Sequence, residues 1–255
     1  MEITDILHVL FRWVHIVAGI LWIGLLYWFN WVNTPLGGVL DADTKKKVLP
    51  EMLPRALYFF RFAALWTFVA GILLLGIVFY SGGLMFEQGT GGWGVASGVM
   101  VAVTFLIFGL YDQVARTSIG KNLRAMGAIG FVAIVVIEYL MINWAGFSYR
   151  AYNIHIGAMF GTIMVGNVWM RIWPAQKKII PAIREGTAPD AALMAQAAQR
   201  SRHNTYLSVP LVWTMINSHT VVPGADSWLI LPLVVLLGWG GVALLYAKST
   251  KVKGL

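Results

Sequence analysis

Apolar residues run along the chain in seven long blocks, near 7–32, 56–80, 93–114, 125–146, 150–173, 203–222 and 227–247. Each is long enough to cross about 30 Å of hydrocarbon as a helix rising ~1.5 Å per residue. The pattern predicts an all-α integral membrane protein, a bundle of about seven transmembrane helices forming a single domain over residues 1–255. The sixth block is the least apolar, with Asn204, Thr205, Ser208, Thr214, Asn217 and Ser218 around a central Pro210. A span that polar belongs against protein or a cavity, not lipid, and its proline is expected to kink it. Between the fifth and sixth blocks, the stretch near 174–202 reads as a cytoplasmic amphipathic segment. It holds a short helix that starts at Thr187-Ala-Pro-Asp190, where a hydroxyl cap precedes an acid by three residues.

Composition sharpens this picture. Hydrophobic residues make up 58% of the chain and charged residues 12%, against roughly 45–50% and 25% for soluble domains. Such a chain cannot clothe a soluble surface, so soluble, disordered and nucleic-acid-binding classes are excluded. Glu2 and Asp5 stand where a cleavable signal would carry positive charge, so the first block is expected to stay as a span. With no Cys, the chain has no disulfide, thiolate metal site or covalently attached c-type haem.

The net charge of +8 is distributed unevenly. Sixteen of the nineteen Lys and Arg residues fall in the 1–2, 3–4 and 5–6 loops and the C-terminal tail. Of the other three, Arg150 lies on the opposite side and Arg12 and Arg61 lie within helices. The positive-inside rule then puts the N-terminus outside and the C-terminus in the cytoplasm.

This orientation places four of the five histidines, His8, His15, His155 and His219, in the outer half of the bundle. His15 and His155 come to similar depth, with Arg12 about one turn outward of the first and Arg150 just over one turn outward of the second. Two imidazoles from different helices are the ligand set of b-type haem. The two guanidiniums suit haem propionates, or equally an anionic substrate. Gly19 would leave room for a flat ring. His219 is a third ligand candidate and a catalytic candidate. Glu138, at the depth of His15, is a candidate proton acceptor or partner for Arg12 or a histidine. A copper site is the weaker alternative, because no Met-x-Met or His-x-His cluster supports it. Gly157-x-x-x-Gly161 reads as a close helix contact.

Three stretches carry more than composition. They are Trp13-Val-His15-Ile-Val-Ala-Gly-Ile-Leu-Trp22, the run Tyr152-Asn-Ile-His155 to Asn167 followed by Trp173-Pro-Ala-Gln-Lys-Lys, and Ser201-Arg-His203-Asn204-Thr205-Tyr206-Leu-Ser-Val-Pro210 followed by Asn217-Ser-His219. Together they resemble the membrane domain of the bacterial membrane-bound, cytochrome-c-linked urate oxidases, over most of the chain. The resemblance implies a multi-pass protein of the bacterial inner membrane. It also implies oxidation of urate, or a similar planar anion, with electrons passed to a c-type cytochrome. Here that cytochrome is expected on a separate chain. Carried over residue by residue are His15, His155, His203, Asn204, Thr205, Asn217 and His219. Asn204, Thr205 and Asn217 join Arg12 as expected substrate contacts, and His203 is expected to fix the sixth helix or serve an inner site. The alternative is a non-catalytic b-haem electron-transfer subunit working with a dehydrogenase partner.

Overall fold

The computed structural model describes residues 2–87, 89, 91–217 and 227–252. Among them there are helices and no strand. Seven long rods follow one another: α1 (Ile3–Val39), α2 (Ala42–Tyr80), α3 (Val95–Arg116), α4 (Leu123–Asn143), α5 (149–185), α6 (Ala191–Asn217) and α7 (Ile230–Ser249). Five of them, α1, α2, α3, α4 and α7, are long and apolar enough to cross a membrane.

The other two, α5 and α6, are the inner ones. From Ala151 to Asn167 nearly every side chain of α5 is buried, and the helix is packed among α2, α3, α4 and α6. A helix enclosed by protein needs no lipid-facing apolar surface. It can therefore carry Asn153, His155, Thr162 and Asn167, and α6 can carry His203, Asn204, Thr205 and Ser208, all buried. Close approach of the two is built on glycine. A Cβ on Gly157 would run into the Thr214 side chain, and one on Gly161 would touch Leu211 at 3.7 Å. The expected small-residue contact is therefore present, between α5 and α6.

Several boundaries differ from the sequence reading. The second rod begins at Ala42, well before residue 56, because the Asp41 carboxylate caps it by accepting from the Thr44 amide at 2.9 Å. Pro50 and Pro54 lie inside that helix. Pro54 has no N–H, so the Pro50 carbonyl four residues back lacks its helical donor, and Arg184 Nη2 donates to it instead at 3.1 Å. The stretch 174–202 also differs. Trp173–Glu185 continues α5 and stops at Gly186, whose φ of 77° is the left-handed helix stop. The Ala-rich run is not a separate short helix but the first turns of α6, continuous to Asn217. Its cap is Asp190, whose Oδ1 accepts from the amides of Ala192 and Leu193, whereas Thr187 donates back to the Ala182 carbonyl.

The rods alternate in direction. One end of the bundle gathers the basic segments: Arg184 meets Pro50 and Glu51, Arg171 and Arg200 meet Asp112, and Gln199 donates to the carbonyls of Ala115 and Gly120. At the opposite end, the Ser148 amide and hydroxyl donate to the carbonyls of Met85 and Leu84, and Asn217 donates to the Tyr149 hydroxyl.

Candidate functional site

The residues expected at the acidic, less charged end do not converge. Arg12 is exposed and its Nη2 donates to His8 Nε2 at 2.8 Å. Arg150 is exposed on the first turn of α5. His15 donates from Nδ1 to the Thr67 carbonyl at 2.7 Å, and its ring fills the space a Cβ on Gly71 would need. Gly19 packs near Thr67 and does not open room for a ring. His155 is fully buried. Its Nδ1 donates to the Ala151 carbonyl at 2.7 Å, which leaves Nε2 to accept from the Tyr80 hydroxyl at 3.1 Å. Phe79 and Phe147 close around it.

Those partners fix the relative depth. His15 sits opposite residues 67–71 of α2 and His155 opposite residues 79–80, which is about 12–20 Å further along the helix axis. The expected depth match is corrected accordingly. The two imidazoles do not face one another across an iron-sized gap, and the residues present do not fit a b haem held between His15 and His155. Among the described residues no cluster of three His, Asp or Glu side chains suits copper or another metal. Glu138 is fully enclosed on α4, with neither carboxylate oxygen paired to Arg12, to a histidine or to any other described group. His219 lies outside the described residues.

The polar side chains of the HNTYLSVP stretch are used mainly between helices. Asn204 Oδ1 accepts from Asn167 Nδ2 at 2.8 Å, and its Nδ2 donates to the Met164 carbonyl at 3.0 Å. Thr205 donates to the Ser201 carbonyl at 3.1 Å. Asn217 ties the other end of α6 to Tyr149. These three were expected to touch substrate, and the structure engages them in joining α6 to its neighbours or to its own preceding turn. Next to them, Asp112 receives Arg116 Nη2 at 2.6 Å, Arg200 Nη2 at 2.9 Å and a two-pronged contact from Arg171. Arg200 is 1% exposed, its guanidinium lies 5.1 Å from the Tyr111 ring, and its Nε and Nη1 have no hydrogen-bond partner among the described residues.

A cavity of about 900 Å³ opens at the basic end, among α1, α2, α5, α6 and α7. The sequence reading did not foresee it. Its walls include the rings of Phe29, Phe60, Tyr206 and Tyr246. The two tyrosines are stacked at 6.0 Å with planes 22° apart, and the Arg202 guanidinium lies 4.9 Å over Tyr246. Asn30 braces the wall by donating to Ser201 Oγ and accepting from the Tyr246 hydroxyl, both at 2.8 Å. Asn33 Oδ1 and Gln176 Oε1 are buried and have no partner among the described residues. Buried amide oxygens are normally satisfied, so each of these two, on residues lining the cavity, lacks a donor. The volume is in the range of small-molecule sites, about 300–1,000 Å³. Two asparagines, Asn30 and Asn33, directly after the apolar run 16–29 of the first helix were the signal available in the sequence.

Apolar rods around a polar inner pair, with an amide- and aromatic-lined cavity at one end, define a helical protein of membrane-spanning type. The chain belongs to the family described as Urate oxidase N-terminal, which residues 36–251 match. No curated protein and no solved structure matches it.

Proposed function

We propose that this chain is a membrane-embedded, urate oxidase-like oxidoreductase that takes urate, or a similar planar anion, into the cavity at its basic end. The observation that carries the reading is the pair of buried, unpartnered amide oxygens of Asn33 and Gln176 beside Arg202 and four aromatic rings, in a member of the Urate oxidase N-terminal family. A flat anion with alternating N–H and C=O edges is recognised by ring stacking, by primary amides that offer both donor and acceptor, and by a cation. The positive-inside rule makes this end cytoplasmic, so substrate enters from the cytoplasm and not from the side of Arg12 and Arg150.

Hydroxylation of urate at C5 takes its oxygen from water: urate plus H₂O gives 5-hydroxyisourate, two electrons and two protons. The resemblance to the cytochrome-linked enzymes makes a c-type cytochrome the eventual acceptor. The b-haem subunit reading loses the ligand pair that motivated it.

The test is urate consumption by the full chain in lipid, followed by loss of urate's ultraviolet band with a soluble one-electron acceptor. Asn33→Ala and Gln176→Ala are each expected to raise KM about tenfold, the loss of roughly one buried hydrogen bond. Folded protein that neither binds nor consumes urate with any acceptor would rule the reading out.

A further inference from the structure

A second cavity lies across α6 from the first. It encloses about 220 Å³ among α3, α4, α5, α6 and α7, and its wall is apolar, with two methionines, except for the polar atoms of Tyr111, His203, Tyr206 and Trp239. Gly127 and Gly130 on α4 face the Trp239 indole with no side chain between, so the helix leaves a slot there. Tyr206 borders both cavities. The two are therefore separated by about one helix diameter, on the order of 10 Å.

Hydrogen bonding polarises the polar corner of this slot. Asn167 Nδ2 donates to the Tyr111 hydroxyl oxygen at 2.9 Å. Tyr111 therefore turns its own hydrogen to His203 Nδ1, 2.8 Å away. With Nδ1 accepting, a neutral His203 carries its proton on Nε2. That N–H has no protein partner among the described residues, on a side chain only 6% exposed. The Trp239 indole N–H is likewise buried without one. A lipid acyl chain has no acceptor to offer either donor. A quinone ring has a carbonyl acceptor at each end and an isoprenoid tail that suits a hydrocarbon-lined slot.

We infer that this slot is the site of a membrane quinone, which takes the two electrons before any cytochrome does. Its acceptor role rests on the proposed urate oxidation. The electrons and protons balance: urate, water and quinone give 5-hydroxyisourate and quinol. His203 Nε2–H hydrogen-bonds one quinone carbonyl and gives its proton to that oxygen on reduction. The Tyr111 hydrogen then moves to Nδ1 along the 2.8 Å contact, and the two protons released on urate oxidation restore Tyr111 and complete the quinol.

The experiment titrates decylubiquinone into the full chain in phosphatidylcholine nanodiscs, without urate, and reads bound quinone after rapid separation. Wild type is expected to bind saturably, one quinone per chain. His203→Ala is expected to bind about tenfold more weakly through loss of one buried hydrogen bond. Gly130→Leu, which fills the slot, is expected to lose saturable binding. Equal uptake by all three, or uptake that never saturates, would mean partition into lipid or an acyl-chain slot and would overturn the inference. Circular dichroism and monodisperse elution confirm that each variant is folded, and urate titrated in the same samples keeps the two proposals separable. Urate bound without quinone overturns this site alone, and quinone bound without urate supports the site while removing the substrate.

Discussion

At the scale of single residues, the arrangement that matters most is one carboxylate holding three cations. Asp112 is 5% exposed and is met by Arg116, Arg171 and Arg200 from three different rods. Removing it leaves Arg200 enclosed without a counter-charge, and stranded buried charges cost about 3–5 kcal/mol. Asp112→Ala should therefore lower the thermal unfolding midpoint of the detergent-solubilised protein far more than Glu51→Ala. The Glu51 contacts, to Arg55 and Arg184, are both solvent-exposed. Asp41 gives a pH dependence. The Thr44 hydroxyl and amide hold its carboxyl below the usual aspartate range. A depressed folded value means that the cap contributes above the unfolded pKa and is lost as pH falls through the folded one. Acidification should lower the hydrogen-exchange protection factors of the amides at 44–46, measured against the intrinsic rate at each pH, and Asp41→Ala should bring that lower protection to neutral pH. Neither contact was legible in the sequence. Asp112 and Arg171 stand 59 positions apart, and no local pattern joins them.

Among the rods, long apolar runs were legible and their ends were not. Hydropathy marks where lipid begins, whereas a helix ends where its backbone finds a cap. Asp41 and Asp190 therefore moved two starts well outside the apolar blocks, and the helix entered at Ala42 accommodates two prolines. Gly157 was legible because small-residue spacing has one main physical use in a bundle. Its substitution gives an element-scale prediction. Gly157→Leu should push α5 from α6 at Thr214 and destabilise by about 1–3 kcal/mol, whereas Gly24→Leu, where nothing lies within 4 Å of the added carbon, should be neutral. Unfolding midpoints of the two variants compare them directly. Histidine depth was misread because residue counting from predicted ends accumulates error. The contacts to Thr67 and Tyr80 measure depth along a shared neighbour.

For the whole molecule, sequence alone conveyed the helical class and the sidedness of charge. It did not reveal the cavity, because Asn33, Gln176, Arg202 and Tyr246 come from four rods and meet only in three dimensions. Topology is open to a clean test, since the chain has no native Cys. Lys46→Cys should react with a membrane-impermeant maleimide only from the cytoplasmic side, and Ser81→Cys only from the outside. Reaction of both from one side would refute the alternating arrangement. The inner placement of α5 and α6 has a consequence for biogenesis. A segment whose polar groups are satisfied only by neighbouring helices gains little by leaving the translocon alone, where lipid would meet Asn153, Asn167 and Asn204 unpaired. Partitioning of α5 and α6 should therefore wait on the outer helices that precede and follow them. Chains truncated before Ile230 should stay with the insertion machinery, where quality-control proteases can reach them.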